Sequence, residues 1–205
     1  MSEYLTQLNK YLLQFVPLTD SQLVSFNEAC NVVNVPKGTV IIHANQQQQF
    51  LYFICKGIVR SFIETEDGTS KTYNFRMENM TSTGYFNYNY KNDLKAIVNV
   101  ECLEDSILIK VPMTLIKHVV EDFKYGDRMG RYLAEAHVIE LVNFIVDRDT
   151  KPLLDRYQNL ELQFPNIHQR VPQHMIASYL GTTPVHLSRI KKSRKRSLTN
   201  VNSFT

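Results

Sequence analysis

The run Val171-Pro172-Gln173-His174-Met175-Ile176-Ala177-Ser178-Tyr179-Leu180-Gly181-Thr182-Thr183-Pro184-Val185-His186-Leu187-Ser188-Arg189-Ile190-Lys191-Lys192 carries the most specific chemistry of the chain. Met175, Ile176, Tyr179 and Leu180 give a short helix an apolar side, and Pro172 suits its first turn. Gly181 offers a left-handed turn. Thr183 is a good N-cap, Pro184 a good first helical residue, and Leu187 and Ile190 face inward. Two short helices joined by a Gly-containing turn make a helix-turn-helix, whose second helix fits the major groove of DNA. The charge agrees with a polyanionic partner. Seven Lys or Arg and no Asp or Glu lie between Leu162 and Thr205, so this last fifth carries +7 and the rest of the chain −4. A charge split of this kind joins a basic module to one that does not meet a polyanion.

Other chemistries find fewer supports. Cys30, Cys55 and Cys102 are scattered and odd in number, which fits buried thiols in a reducing cytoplasm and excludes a disulfide scaffold or a CxxC zinc site. The six histidines show no HxxxH or HxH pair, so no metal site is expected. A composition of 43% hydrophobic and 21% charged residues supports a real core rather than a disordered chain. No window approaches the ~18 apolar residues of a membrane span. The start, Met1-Ser2-Glu3-Tyr4, has no basic segment before an apolar run, so the expected location is cytoplasmic, with no membrane partner.

The elements that must carry the basic module follow from periodicity. Thr19-Asp20-Ser21 caps a short helix bearing Leu23, Phe26 and Ala29. From Val32 to about Val111, β-rich runs alternate with turn residues: Val32–Val35, Thr39–Ile42, Leu51–Cys55, Ile58–Ile63, Lys71–Phe75, Ile97–Val100 and Ser106–Val111. Glu66-Asp67-Gly68 marks a hairpin between two of them. Strands at this spacing without intervening helices predict an antiparallel barrel or jelly roll. From roughly Tyr125 to Asp147 the period becomes helical. Ala134, Val138, Leu141 and Ile145 form a heptad seam, with Met129, Tyr132, Ala136 and Ile139 as a second stripe. Such a helix buries its faces either within its own chain or partly against the same helix of a second subunit. Arg148-Asp149-Thr150-Lys151-Pro152 makes a hinge, and Leu153–Phe164 a further helix ended by Pro165.

Taken along nearly its whole length, the chain resembles the catabolite-activator or Crp–Fnr family of bacterial transcription regulators. Pro36-Lys37-Gly38, Leu51-Tyr52-Phe53-Ile54, Gly57 and Asp67-Gly68 resemble that family's cyclic-nucleotide-binding barrel. Arg156-Tyr157, Pro165, Arg170-Val171-Pro172, Ile176-Ala177, Leu180-Gly181 and Leu187-Ser188-Arg189 resemble the subgroup common in Bacteroidetes-type bacteria. The resemblance implies an α+β chain of three parts: a sensor barrel over 1–118, a dimerisation helix and hinge over 119–149, and a helix-turn-helix domain over 150–205. It implies a homodimer seamed by Ala134, Val138, Leu141 and Ile145, a double-stranded DNA operator, and RNA polymerase as a partner. It implies no enzyme activity.

Three positions of the family's recognition helix commonly reach base edges, and here they match Pro184, Val185 and Arg189. Arg189 keeps a fork for the O6 and N7 acceptors of guanine, and Val185 can pack on a thymine methyl. Thr183, His186 and Ser188 are assigned to phosphate or secondary base contacts, and Lys191, Lys192 and Arg194 to charge. Little chain follows Lys192, which leaves open whether the family's usual winged hairpin follows, and the basic stretch from Ser193 to Thr205 is read as a partly disordered tail that touches phosphates.

The departures bear on cofactors. Nucleotide-binding members hold the ribose with a Gly-Glu pair and the phosphate with an Arg-Ser pair. Thr83-Gly84 and Leu94-Lys95 stand at those places here, which removes the ribose acceptor and the bidentate guanidinium. The scattered cysteines argue against an iron–sulfur cluster, and His43 alone argues against haem. Tyr85, Phe86 and Lys95 are the candidates to line an effector pocket whose ligand the sequence does not name. Tyr85 and Phe86 belong to an aromatic cluster whose favoured reading is that it fills the barrel mouth. Two functions of other classes stay open: a cupin-like metalloenzyme, and a regulatory module that acts on a partner protein through a non-functional helix-turn-helix.

Overall fold

Short β-rich runs separated by turn residues form two four-stranded antiparallel sheets in the computed structural model, which describes residues 2–84, 95–122, 124 and 126–201. The strands are β1 (Asn31–Val35), β2 (Val40–Ile42), β3 (Phe50–Lys56), β4 (Val59–Glu64), β5 (Ser70–Arg76), β6 (Thr81–Ser82), β7 (Asn99–Cys102) and β8 (Ser106–Pro112). One sheet runs β1-β8-β3-β6 and the other β2-β7-β4-β5, so chain neighbours are mostly not sheet neighbours. This is the jelly-roll arrangement the spacing predicts.

Alternation along β3 explains its unbroken apolar sequence. Tyr52 and Ile54 join Ile42, Val59, Val100, Cys102 and Leu108 in a core drawn from both sheets. Phe53 and Cys55, on the opposite face, join Ile109 and Val111 beneath Leu8, Leu12 and Phe26 of the N-terminal helices. Those helices are α1 (Glu3–Leu12) and α2 (Asp20–Glu28). Thr19 caps α2 in a reciprocal box with Gln22, while Ala29 is the residue that ends it. In the β4–β5 hairpin the Asp67 carboxylate accepts from the Thr65 hydroxyl at 2.6 Å and from the Thr69 amide and hydroxyl at 3.1 and 2.8 Å. The Thr65 bond, followed by those of Thr69, holds its carboxyl down at about 2.

Helices follow the barrel: α3 (Met113–Asp122), α4 (Gly126–Thr150), α5 (Leu153–Gln163), α6 (Ile167–Arg170), α7 (Gln173–Tyr179) and α8 (Pro184–Val201). The chain separates into two compact units, Met1–His137 and Val138–Thr205, with the division inside α4. Of the basic stretch from Ser193 to Thr205, residues 193–201 continue α8 as helix, in keeping with the helix preference of Lys and Arg, and residues 202–205 lie outside the described residues. No helix among the described residues is long and apolar enough to cross a membrane.

Candidate nucleic-acid interface

The second unit builds the turn from both sides. Helix α7 ends at Leu180, and Gly181 takes the left-handed conformation at φ +67° that a side chain resists. Thr182 N–H returns to the Ala177 carbonyl at 2.9 Å and Gly181 N–H to that of Ser178 at 3.1 Å, closing the helix end. Pro184 opens α8 and the Thr183 hydroxyl accepts the His186 amide at 3.2 Å, the cap read from the sequence. Ala177 of α7 and Leu187 of α8 are both fully buried, and the two helices pack on one another.

The outer side of α8 is open. Thr183, Pro184, His186, Arg189 and Lys192 are exposed, as is Val185 at 62%, and Ser188 is half-buried. Lys191 is held differently: its ammonium lies 5.3 Å over the Tyr157 ring of α5. The side chain of Arg194 lies outside the described residues. Contacts across the motif that the periodic pattern did not reveal fix its shape. Gln173 donates to the Pro184 carbonyl at 2.9 Å, Thr182 and His186 share a hydrogen bond at 3.2 Å, and Arg156 of α5 donates to the Leu180 carbonyl at 2.7 Å.

Along α4 the seam residues are left exposed among the described residues. Ala134 is exposed, and Val138, Leu141 and Ile145 are 60%, 59% and 41% exposed. Tyr132, Ala136 and Ile139 of the second stripe are exposed too, as are Val142 and Val146.

In the barrel Gly84 lies close against the sheet. The Gly84 carbonyl accepts from Ile97 N–H at 2.7 Å, and a Cβ on Gly84 would stand 2.4 Å from that of Ala96. The Ala96 amide is itself spent on the Gln46 carbonyl at 2.9 Å. A cleft of about 290 Å³ nearby is lined by Ile41, Gln46, Gln48, Phe50, Tyr52 and Lys110, among others. Sequence reading also missed a buried ion pair: Arg60 Nε meets the Glu101 carboxylate, and Arg60 Nη1 donates to Ser70 and Thr72 hydroxyls at 3.2 Å each. All three cysteines are buried and free, and burial pushes the Cys30 and Cys55 thiols up to about 12. Among the described residues no group of three or more His, Cys, Asp or Glu is placed to hold a metal ion.

Residues 32–122 match the family model of the cyclic nucleotide-binding domain. The matched stretch takes in the barrel and α3. Among solved structures the whole chain is similar to a Crp/Fnr-family transcriptional regulator from Eubacterium rectale, with a TM-score of 0.70 at 17% identity over 92% of this chain and 88% of that one. FixK2 from Bradyrhizobium japonicum gives 0.70 at 14% identity over 82% and 85%. The c-di-GMP-responsive global regulator CLP from Xanthomonas campestris gives 0.62 at 13% identity over 87% and 93%. At these identities the likeness is one of fold. No curated protein matches the chain in sequence.

Within the matched barrel, the two places that the resemblance assigns to ribose and phosphate fall only in part within the described residues. Thr83-Gly84 lies against Ala96 as described, and Lys95 is exposed and bridged through its backbone to Gln47. Leu94 and the pocket candidates Tyr85 and Phe86 lie outside the described residues.

Proposed function

We propose that this protein is a dimeric, sequence-specific DNA-binding transcription regulator whose cyclic nucleotide-binding domain does not work through a cyclic nucleotide. One observation carries the reading. Val185 and Arg189, four residues apart on one face of α8, are both exposed, while Leu187 anchors the opposite face in the core of the unit. A helix held this way presents a guanidinium fork and a methyl pair to a groove without unfolding anything. The basic excess from Leu162 onward supplies the phosphate attraction, and the exposed apolar seam of α4 supplies a surface for a two-fold partner. RNA polymerase is the partner through which such a regulator acts.

The test is binding-site selection on randomised duplex DNA, followed by affinity measurements at rising salt. The expected product is a two-fold palindrome with one preferred guanine per half-site, half-sites about 34–36 Å apart, and an affinity falling linearly with salt on logarithmic axes. Absence of any enriched sequence overturns the reading.

A further inference from the structure

The end of α4 and the turn before α8 are joined by side chains of the helix between them. Asp147, in the last turn of α4, accepts from Asn159 Nδ2 at 2.7 Å, 12 residues on. Its other oxygen takes the Lys151 ammonium at 2.8 Å. The Lys151 bond above all, with Asn159 and the nearby charge of Arg156, keeps the Asp147 carboxyl below the ordinary carboxylate range. Arg156 lies one turn before Asn159 on the same face of α5, and its Nη1 donates to the Leu180 carbonyl at 2.7 Å, 24 residues on. That carbonyl closes α7 immediately before the left-handed Gly181, and no backbone N–H among the described residues reaches it. A cation on an orphan carbonyl at a helix end is favourable, and here it also fixes the peptide plane from which the turn departs.

We infer that Asp147, Arg156 and Asn159 are positioning residues that set the angle between the end of α4 and the recognition helix, and through it the half-site spacing that a dimer accepts. The inference rests on the dimeric DNA-binding reading above. Helix α5, 11 residues long, is the rigid arm, pinned at Asn159 to α4 and at Arg156 to the turn. With either pin released, each recognition helix still folds and still fits one groove. What is lost is the fixed relation of the two helices, so a palindrome gains less from its second half-site.

The palindrome selected by the wild type supplies the probe, with its spacer lengthened and shortened by single base pairs and an isolated half-site as control. Arg156→Gln and Asp147→Ala lose about tenfold of the preference for the native spacer, the size of one charge-assisted hydrogen bond, and keep their half-site affinity. Arg156→Lys, which keeps a donor and the charge, recovers most of it. Unchanged spacing preference in both variants overturns the inference, as does an equal loss on palindrome and half-site. Should Arg156→Gln fail to fold, Asp147→Ala decides, because alanine only strengthens a helix. A wild type that selects no sequence overturns the DNA reading instead, and this inference with it.

Discussion

Replacing Val138 and Leu141 with Asp should dissolve the dimer while sparing the fold. Each side chain is about three-fifths exposed within its own chain, so a partner helix has more than half of it left to cover. Covering that remainder is worth about 1 kcal/mol per side chain, a little over half the value of full burial. A two-fold seam uses each position twice, so about 4 kcal/mol is lost, or about a thousandfold in the dissociation constant. The four introduced carboxylates add repulsion and desolvation in the same direction. The cost to each chain is small, because Asp in an exposed helix position costs at most about 0.7 kcal/mol of propensity. Sedimentation velocity across nanomolar to high-micromolar protein should therefore show a wild-type dimer and a variant monomer, with matching far-ultraviolet circular dichroism. A wild type that is monomeric at micromolar concentration, or a double variant that still sediments as a dimer, refutes the assignment of this seam.

Arg189→Ala should flatten the preference at the selected guanine by about 1–3 kcal/mol, whereas Lys192→Ala should weaken all sequences alike and lower the salt slope by about one. The same selected motif for wild type and Arg189→Ala would show that another residue reads the base. Cyclic AMP and cyclic GMP should give no heat of binding at micromolar concentration, since Gly84 rests on Ala96 and the Ala96 amide is already bonded to Gln46; low-micromolar binding by calorimetry contradicts this. Glu101→Gln strips the charge partner from buried Arg60 and should cost about 3 kcal/mol in chemical denaturation, while Arg60→Met combined with Glu101→Leu should cost less. A near-neutral single variant would mean that water already reaches the pair. Asp67 has its carboxyl lowered by the hairpin hydroxyls, so its contribution is full above the unfolded value near ~4 and fades as pH falls through about 2. An NMR titration with an ordinary Asp67 midpoint rules that hairpin network out.

Local pattern made much of this fold legible. Asp67-Gly68 announced a hairpin because few residues tolerate the positive φ that Gly68 adopts, and Thr183-Pro184 announced a helix start because cap and first-turn chemistry is local. The seam on α4 was readable as apolar but not as uncovered, since periodicity says which residues share a face and nothing of what lies against it. Helix α1 escaped notice although Leu5, Leu8 and Leu12 recur at helical spacing, and of these Leu8 and Leu12 are buried. Helix α3 escaped although Pro112, the last residue of β8, stands directly before its first residue Met113.

The polar pairs were illegible for a different reason. Arg60 and Glu101 stand opposite one another in the β4–β7 register, 41 residues apart in the chain. Since β4 lies between β7 and β5, knowing the β4–β5 hairpin gives one neighbour of Arg60 and leaves the other undetermined. Arg156 and the Leu180 carbonyl are hidden likewise, because the acceptor is a backbone atom that every residue type carries. Apolar burial can be read from a period because any apolar neighbour satisfies it, whereas a buried charge needs one partner at one distance. Half-buried Arg156 meets a milder form of that demand at the Leu180 carbonyl, one residue before the left-handed Gly181, where nothing in the residue types of α7 announces the acceptor.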